Sequence, residues 1–303
     1  MKYFSLIIFT LLNFVSCTQQ KNELGVRPYL FEADEFKNYW YAGDAEISVY
    51  ELDQARYGEN HTGKAVLIFV TEDLSAEKQV KLDRPEQAIE KVNVLKLNYM
   101  KNFITGIYPY SMMLSVFTPV QRDQHPRTLK LSMSSQEWCG HVYAQLNLEG
   151  NFYNGIGHSY FEQEADSKFN LPGFILEDEL FNLIRLDPNK LPSGKHQIIP
   201  GLFNARIKHE TLRPKEAMLS IEKSEQGINY KVSYTDGSRV LLINFDKQFP
   251  HQINAWREYM TDYEGRQQVT SATLSNQMKT NYWSKNKQQF LQLRDSLGLH
   301  LNY

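Results

Sequence analysis

Cys139 and His141 stand two residues apart in SSQEWCGHVYAQ (134–145), and they are the first candidates for chemistry in this sequence. Thiolate sulfur and imidazole nitrogen are ligands that zinc prefers. An imidazole next to a thiol can also lower the thiol pKa and produce a nucleophile. The pattern is Cys-x-His, without the CxxC or HExxH pair of common zinc sites, so the motif alone selects neither chemistry.

The segment that carries Cys139 predicts a β-strand over 136–148. Successive side chains of a strand point to opposite faces, which places Glu137, Cys139 and His141 on one face. The other face is apolar, is expected to join a core, and contains Trp138, Gly140, Val142, Ala144, Leu146 and Leu148. Cys139 is therefore predicted to point to solvent, to a cavity inside a curled sheet or to another layer.

A two-residue turn at 149–150 or at 150–151 is expected to pair this strand with the next segment. The first turn places His141 opposite His158, and the second places it opposite Tyr160. A three-residue loop would exchange the faces, because a slip of one residue moves every side chain to the other side. Either two-residue turn brings the same three side chains to the cysteine's face, namely His158, Tyr160 and Glu162.

These registers predict one cluster of polar side chains. Its members are Glu137, Cys139, His141, His158, Tyr160 and Glu162. Within it, Cys139, His141 and His158 are the candidate ligands of a zinc ion. The same residue types are also ordinary on a polar, half-exposed sheet face, and such clusters indicate function only statistically. We assign no catalytic residue, because the sequence has no GxSxG nucleophile elbow and no lysine-containing phosphate loop.

The first residues, MKYFSLIIFTLLNFVSC, resemble the signal peptide and lipobox of bacterial lipoproteins. Lys2 forms a short positive region, and the apolar run that follows is shorter than a membrane span. The resemblance implies cleavage after residue 16 and acylation of Cys17 with palmitate-like chains. Residues 17–25 would then be the lipidated cysteine and a polar tether, and 26–303 a water-facing body.

Composition excludes one class of partner. The chain has 33 basic and 35 acidic residues and a net charge of −2, which argues against an electrostatic nucleic-acid binder. Aromatic residues make up 13% of the chain, with 18 Tyr and 17 Phe. Such side chains suit half-buried sheet surfaces or the wall of a binding cavity.

The body is predicted to be mainly β, a long antiparallel meander curled into a half-barrel or open barrel with one or two packed helices. Segments rich in β-formers predict strands in 39–52, 65–71, 94–98 and 112–117, and a hairpin over 230–245. Asp236-Gly237 favours a type I′ turn in that hairpin. The glycines of NGIGHS (154–159) are expected to bend a strand or admit a bulge.

Two segments predict helices. Leu176–Leu186 has an apolar stripe and a proline after its end, and Ser284–Leu297 has a candidate N-cap and a following glycine. The turn-rich stretch 187–194 is an alternative boundary between two sheet units.

Several stretches together resemble a family of uncharacterised lipoproteins of the Bacteroidota. They are YWYAGDAEISVYELDQARYGE (39–59), AVLIFVTED (65–73), GIYPYS (106–111), QEWCGHVYAQ (136–145), HSYFExEAD (158–166) and ARIKH (205–209). Some members of that family are labelled septum formation inhibitor Maf. True Maf proteins are cytoplasmic pyrophosphatases with a Ser-x-Ser-Pro-Arg-Arg stretch, which this sequence lacks. The resemblance implies a cell-envelope home and assigns no catalytic residue.

The sequence therefore leads to one main hypothesis and two alternatives. The main hypothesis is a non-enzymatic protein, lipid-anchored to the outer membrane, whose curved sheet binds an apolar small molecule or an envelope protein. The first alternative is a thiol- or zinc-dependent, hydrolase-like site at Cys139, His141 and His158. The second is a structural envelope scaffold. The sequence does not distinguish the periplasmic from the surface-exposed face of the membrane.

Overall fold

A computed structural model describes residues 30–224, 227–262 and 265–300. The predicted signal peptide, lipidated cysteine and tether lie outside the described residues. The strands are β1 (Ala45–Arg56), β2 (Glu59–Ser75), β3 (Lys91–Thr105), β4 (Tyr108–Pro119), β5 (Lys130–Glu137), β6 (Gly140–Glu149), β7 (Phe152–Ser159), β8 (Ser167–Pro172), β9 (Ile175–Leu176), β10 (Gly194–Ile199), β11 (Lys215–Ser224), β12 (Gly227–Tyr234), β13 (Arg239–Phe245), β14 (Ile253–Thr261) and β15 (Gln267–Thr280).

Short helices lie before, between and after the strands along the chain. The α-helices are α1 (Asp34–Trp40), α2 (Leu180–Leu186), α3 (Leu202–Lys208) and α4 (Gln292–Ser296). Single turns of 3₁₀ helix lie at Leu30–Glu32, Pro85–Gln87, Glu177–Glu179, Pro188–Lys190, Tyr282–Ser284 and Gln288–Phe290. No helix among the residues that the structure describes is long and apolar enough to cross a membrane.

All the described strands form one sheet, in the order β8-β7-β6-β5-β4-β3-β2-β1-β15-β14-β13-β12-β11-β10-β9. Neighbours along the chain pair as antiparallel hairpins, and only β9 and β10 are parallel. The two halves of the meander are joined by β1 and β15, for example through Ala45 opposite Thr280. The predicted mainly β, antiparallel meander is confirmed.

The sheet must curl because its two edge strands are consecutive in the chain. Pro172 ends β8 at one edge, and Ile175 begins β9 at the other. Fifteen flat strands would set these edges about 67 Å apart at roughly 4.8 Å per strand spacing. Three Cα–Cα steps of about 3.8 Å reach only about 11 Å. The result is a curled open sheet that is not closed into a barrel.

The concave side of the sheet is filled by the central helices. Helix α2 contacts β3 and β4, and α3 contacts β4 and β5. Aromatic rings form the contact layer, with Phe181 of α2 and Phe203 of α3 both against Tyr99, at centroid distances of 5.8 and 5.0 Å. The centre of the curl is therefore a packed core.

Buried charges also hold the 3₁₀ turn before α2, Glu177–Glu179, to the sheet. The Glu177 carboxylate pairs with Arg239 and accepts a hydrogen bond of 2.6 Å from the Tyr234 hydroxyl. Arg239 donates to Glu258 at 2.7 Å, and Lys101 donates to the same carboxylate at 3.0 Å. Buried charges require such partners, because an uncompensated charge in a core is costly.

Three local predictions need correction. The segment 39–52 begins in α1 rather than as a strand, since β1 starts at Ala45. The hairpin over 230–245 has a four-residue loop at 235–238, in which only Gly237 has a positive φ (72°), so the type I′ turn is wrong.

The second predicted helix is largely wrong. Ser284–Leu297 contains one 3₁₀ turn and the five-residue α4, while the predicted helix over Leu176–Leu186 is found as a 3₁₀ turn followed by α2. Ser284 does not cap a helix, because its hydroxyl donates to the Asn281 carbonyl oxygen at 2.9 Å. Short helices gain most of their stability from packing, and here only Leu297 is buried.

Candidate functional site

Cys139 lies in a turn and not within a strand. Glu137 ends β5 and pairs directly with Gly140, the first residue of β6, so Trp138 and Cys139 form a two-residue hairpin turn. The continuous strand predicted over 136–148 is therefore wrong at its start. Trp138, expected in the core, is 69% exposed, and the Cys139 thiol is free and exposed. Directly paired residues share a face, so Glu137 lies on the face of Gly140 and Val142, and His141 lies on the opposite face with Gln136. The prediction that Glu137 and His141 share one face is therefore wrong, because the turn shifts the alternation by one residue.

The register between β6 and β7 follows the second of the two predicted turns. Glu149 pairs with Phe152 across a turn at 150–151, and Tyr143 pairs with His158. Beyond the last strand pair, the Tyr160 amide donates to the His141 carbonyl oxygen at 3.2 Å. The Tyr160 ring lies on the Gly140 backbone, where a Cβ would come within 2.6 Å of it. Glycine at 140 is therefore required by this ring.

The candidate zinc ligands are not gathered into a metal-binding group. His158 Nδ1 lies 3.0 Å from the Asp166 carboxylate, and Cys139 is in the exposed turn. Among the residues that the structure describes, no group of three or more His, Cys, Asp and Glu side chains is arranged to hold a metal ion. The zinc hypothesis for Cys139, His141 and His158 gains no support from this geometry.

Glu137 instead belongs to a cluster built on α3. Its carboxylate pairs with the Arg206 guanidinium, and each side chain is only 3% exposed. The guanidinium carbon lies 4.7 Å from the centre of the Phe161 ring. Arg206 Nη1 lies 3.2 and 3.3 Å from the two ring nitrogens of His209, and His209 Nδ1 lies 2.7 Å from Glu164 Oε1. Sequence reasoning missed Arg206, His209 and Glu164.

His209 ends α3 in a left-handed conformation, with a φ of 53°. A non-glycine residue in this region costs energy, and such residues concentrate at functional sites. The conformation terminates the helix and turns the imidazole toward Glu164. The only sequence signal for this residue was its place in ARIKH (205–209), and a seven-residue helix is too short to show a clear apolar period.

The cluster continues to Ser159 but does not form a nucleophilic triad. The Ser159 hydroxyl donates to Glu164 Oε2 at 2.6 Å, and the other oxygen of the same carboxylate bonds to His209. A nucleophilic serine needs the imidazole itself as the acceptor of its proton. Here the carboxylate stands between the two groups. The arrangement holds side chains in place and does not activate the hydroxyl.

A second polar group lies at the neighbouring hairpin turns. Tyr57 and Tyr110 share a hydroxyl–hydroxyl hydrogen bond of 2.9 Å, and Tyr108 donates to Tyr57 at 3.2 Å. Arg56 lies 4.3 Å from the Tyr57 ring centre and donates to the Ile207 carbonyl oxygen at the end of α3. Although burial acts in the opposite direction, hydrogen bonds with Tyr108 and Tyr110 and the charge of Arg56 lower the pKa of Tyr57.

These turns expose large apolar side chains at one end of the sheet. The connections β1–β2, β3–β4, β5–β6 and β7–β8 all lie at this end, because alternate hairpins of a meander turn on the same side. Their exposed side chains include Tyr57, Ile107, Trp138 and Tyr160. The rings of Tyr108 and Trp138 are 6.5 Å apart, so neighbouring turns are in contact.

A half-open cavity of about 610 Å³ lies between α3 and strands β5 to β8. We call it the α3 cavity. Its wall has an apolar part formed by Met133, Val142, Ala144, Phe161, Phe169, Leu202, Ala205 and Leu212. Its polar part includes Ser159, Glu162, Glu164, Arg206 and His209. Of the predicted cluster, only His158 and Glu162 line this cavity.

Two glycines of β7 shape the wall of the α3 cavity. A Cβ at Gly155 would lie 2.2 Å from the Phe169 ring, and one at Gly157 would lie 2.7 Å from the Ser167 hydroxyl oxygen. The pairing of β7 with β6 and with β8 runs through both glycines without a register shift. Of the two roles predicted for the glycines of NGIGHS, a bend or a bulge, the bulge is therefore wrong. The glycines let an aromatic ring of the next strand lie flat on the sheet.

The α3 cavity thus combines an apolar wall with a fixed, hydrogen-bonded set of polar groups. Such a site is suited to binding a small molecule that has an apolar body and a polar end. No protein-family model, no curated protein and no solved structure matches this chain.

Proposed function

We propose that this protein is a non-enzymatic binding protein, anchored to the outer membrane by an acylated Cys17, that holds an apolar small molecule in the α3 cavity. The observation that carries the proposal is the composition of the cavity wall, with apolar side chains from β5 to β8 facing Leu202 and Ala205 of α3. The cavity volume of about 610 Å³ lies within the usual range of small-molecule sites, roughly 300–1,000 Å³.

The pairing of the polar groups supports binding rather than catalysis. Arg206 is held by Glu137, and Glu164 is held by both Ser159 and His209. Groups that are already paired with each other fix the shape of the cavity mouth, and a ligand can bond to their remaining hydrogen-bonding positions. The exposed thiol of Cys139 does not line the cavity, so ligand binding is not expected to involve it.

The charge of the mouth favours a ligand whose polar end is neutral or cationic. The cavity wall contains three acidic residues, Glu162, Glu164 and Glu210. The one arginine, Arg206, is paired with the Glu137 carboxylate. An anionic end group would therefore meet net repulsion at this mouth.

Nile red, an uncharged apolar dye, is a direct probe of the α3 cavity. We expect its fluorescence to report binding to the purified full chain, and the double variant Ala144→Leu/Ala205→Phe, which narrows the cavity, to weaken binding by about tenfold or more. Met218→Phe is the matched control, because Met218 is exposed on β11 and lines neither cavity. Equal binding by the wild type and the double variant would contradict the proposal. Cys139→Ser should bind like the wild type.

The anchor is tested separately. Cells grown with labelled palmitate should yield a labelled protein in the outer-membrane fraction. Replacing Cys17 with Ser should remove the label, because the acyl chains are attached to this cysteine. A Cys17→Ser variant that keeps the label would refute the lipid anchor and leave the cavity proposal unaffected.

A further inference from the structure

A second cavity, of about 690 Å³, lies where the two edges of the sheet meet. We call it the edge cavity. It is bounded by the β4–β5 connection, by Gly173 and Phe174 between the edge strands, and by the C-terminal end of α2. It shares no lining residue with the α3 cavity. A ligand in the edge cavity would therefore occupy a site separate from the α3 cavity.

The edge cavity has an apolar interior. Val120 and Leu186 are 2% and 5% exposed and belong to the main core, while Leu183 and Ile175 are partly buried and pack against it. The ring of Phe174, in the link between the edge strands, is 38% exposed and lines the same space. An apolar chain in this cavity would lose contact with water on several sides, which favours its binding.

Basic side chains outnumber acidic ones around this cavity. The lining contains four basic residues, Arg122, Arg127, Lys190 and Lys195, and two acidic residues, Glu179 and Asp187. Both carboxylates already accept hydrogen bonds from the protein: Glu179 from Thr128 and the Leu176 amide, and Asp187 from Asn189. Lys195 pairs with Glu216 at 3.0 Å, so Arg122 and Arg127 are the cations of this wall that an anionic group would meet.

Two arginines have donors that the described residues leave unused. Arg122 Nη1 is buried without a hydrogen-bond partner in the described part of the chain, and it lies 3.8 Å from Glu179 Oε2. Arg127 Nη1 donates to Asn151 Oδ1 at 2.8 Å. A guanidinium has five N–H donors, so most remain available at each arginine. The free N–H groups of Arg122 and Arg127 can therefore donate to an anionic group in this cavity.

The position of Arg127 is built into the link between the edge strands. The Gly173 amide donates to the Asn151 carbonyl oxygen at 2.7 Å, which fixes the link beside the β6–β7 turn. A Cβ at 173 would come within 2.9 Å of Arg127 Nη1. Glycine at this position therefore gives the guanidinium room to lie against the backbone. The arginine is a part of the cavity wall and not a freely moving surface group.

We propose that the edge cavity binds an anionic amphiphile, whose carboxylate or phosphate group pairs with Arg122 and Arg127 and whose apolar chain lies on Phe174, Ile175 and Leu183. Arginine matches carboxylate and phosphate oxygens with two parallel hydrogen bonds, and such charge-assisted bonds are the strong ones. The apolar interior adds affinity that a free anion lacks.

Calorimetric titration of the full chain tests the proposal with five probes, and the ionic amphiphiles among them are kept below their critical micelle concentrations. Dodecanoate and dodecyl phosphate carry both chemical features, dodecanol has only the chain, dodecyltrimethylammonium carries the opposite charge, and inorganic phosphate has only the anion. We expect the two anionic amphiphiles to bind at least about tenfold more tightly than the other three. Arg122→Gln and Arg127→Gln should each weaken only the anionic amphiphiles, by roughly tenfold.

Arg257→Gln is the matched control, because Arg257 is exposed on β14 and does not line the cavity. Equal affinity for dodecanol and dodecanoate would overturn the proposal, and so would arginine variants that bind the anionic amphiphiles like the wild type. If inorganic phosphate bound as tightly as dodecyl phosphate, the ligand would be a free anion and not an amphiphile. This result would also overturn the proposal. If Arg122→Gln does not fold, Arg127→Gln gives the same decision, because this side chain is partly exposed and, among the described residues, bonds to the neutral Asn151 side chain.

Discussion

Arg185 and Glu46 form an ion pair with two hydrogen bonds, and neither side chain is exposed to solvent. The Nη1–Oε1 and Nη2–Oε2 distances are 2.7 and 2.5 Å. Arg185 belongs to α2, inside the curl, and Glu46 to β1 of the surrounding sheet. Although burial acts against it, Arg185 holds the pKa of Glu46 below its usual value. Both side chains are therefore charged in the folded protein, and their ion pair holds α2 against β1.

Removing one member of this pair should destabilise the protein strongly. Arg185→Met is expected to lower the free energy of unfolding by about 3–5 kcal/mol, because it leaves the Glu46 carboxylate buried without its cation. The double variant Glu46→Leu/Arg185→Met should recover much of this loss, since no buried charge remains. Urea unfolding monitored by circular dichroism measures both changes.

An exposed ion pair provides the control. Lys64 and Glu51 pair on neighbouring strands with side chains that are 33% and 57% exposed. Glu51→Gln should change the free energy of unfolding by no more than about 1 kcal/mol. A similar loss in Glu51→Gln and Arg185→Met would show that burial does not decide the strength of these pairs.

A buried aspartate should make stability depend on pH. Burial and the neighbouring Glu177 raise the pKa of Asp178 to about 7, while its carboxylate accepts a 2.9 Å hydrogen bond from the Leu202 amide at the start of α3. The unfolded chain has the ordinary pKa near 3.8. The folded state therefore binds this proton more tightly, and stability falls as the pH rises from about 4 to about 7.

Asp178→Asn should remove the loss of stability at higher pH. The amide oxygen of Asn still accepts the hydrogen bond from the Leu202 amide, and the side chain carries no charge. We expect equal unfolding free energies for variant and wild type near pH 4, and a variant more stable by a few kcal/mol at pH 8. Asp236→Asn is a control of opposite sign, since the pKa of Asp236 is lowered despite partial burial by hydrogen bonds with Ser238. A difference for Asp178→Asn that is the same at both pH values would contradict this account.

Local patterns in the sequence predicted the sheet well and the site poorly. The β6–β7 register follows from two strands and one short turn, all within 25 residues of each other, and it was among the predicted alternatives. The β1–β15 pairing places Ala45 opposite Thr280, and no local sequence pattern predicts a pairing between residues so far apart in the chain. The same holds for Glu137 and Arg206, which are 69 positions apart.

Short helices account for most of the missed site residues. Helices α1 and α3 have seven residues each, a length at which tertiary packing supplies most of the stability. Arg206 and His209 depend on α3 for their position, so the site could not be assembled from strands alone. That the sheet curls could be predicted from the sequence, although its exact shape could not. A long antiparallel sheet with one apolar face has to bury that face.

The turn position of Cys139 predicts rapid thiol labelling in the native protein. Because the thiol is exposed, Ellman's reagent should react with the native chain at a rate within a few-fold of the rate after denaturation, and a zinc chelator should not change it. Cys139→Ser is the control, and any label that remains would report a free thiol at Cys17, the other cysteine of the sequence. Labelling that requires denaturation or a chelator would place the thiol in a core or on a metal.

The contact between Gly155 and Phe169 gives a test of how the wall of the α3 cavity is built. Gly155→Ala should lower the free energy of unfolding by about 1–3 kcal/mol, because the new Cβ would lie 2.2 Å from the Phe169 ring and force it to move. In a Phe169→Ala background the same substitution should cost much less, since the clash is absent. The double-mutant cycle isolates this pairwise effect. A cost for Gly155→Ala that is the same in both backgrounds would mean that the glycine serves the backbone and not the ring.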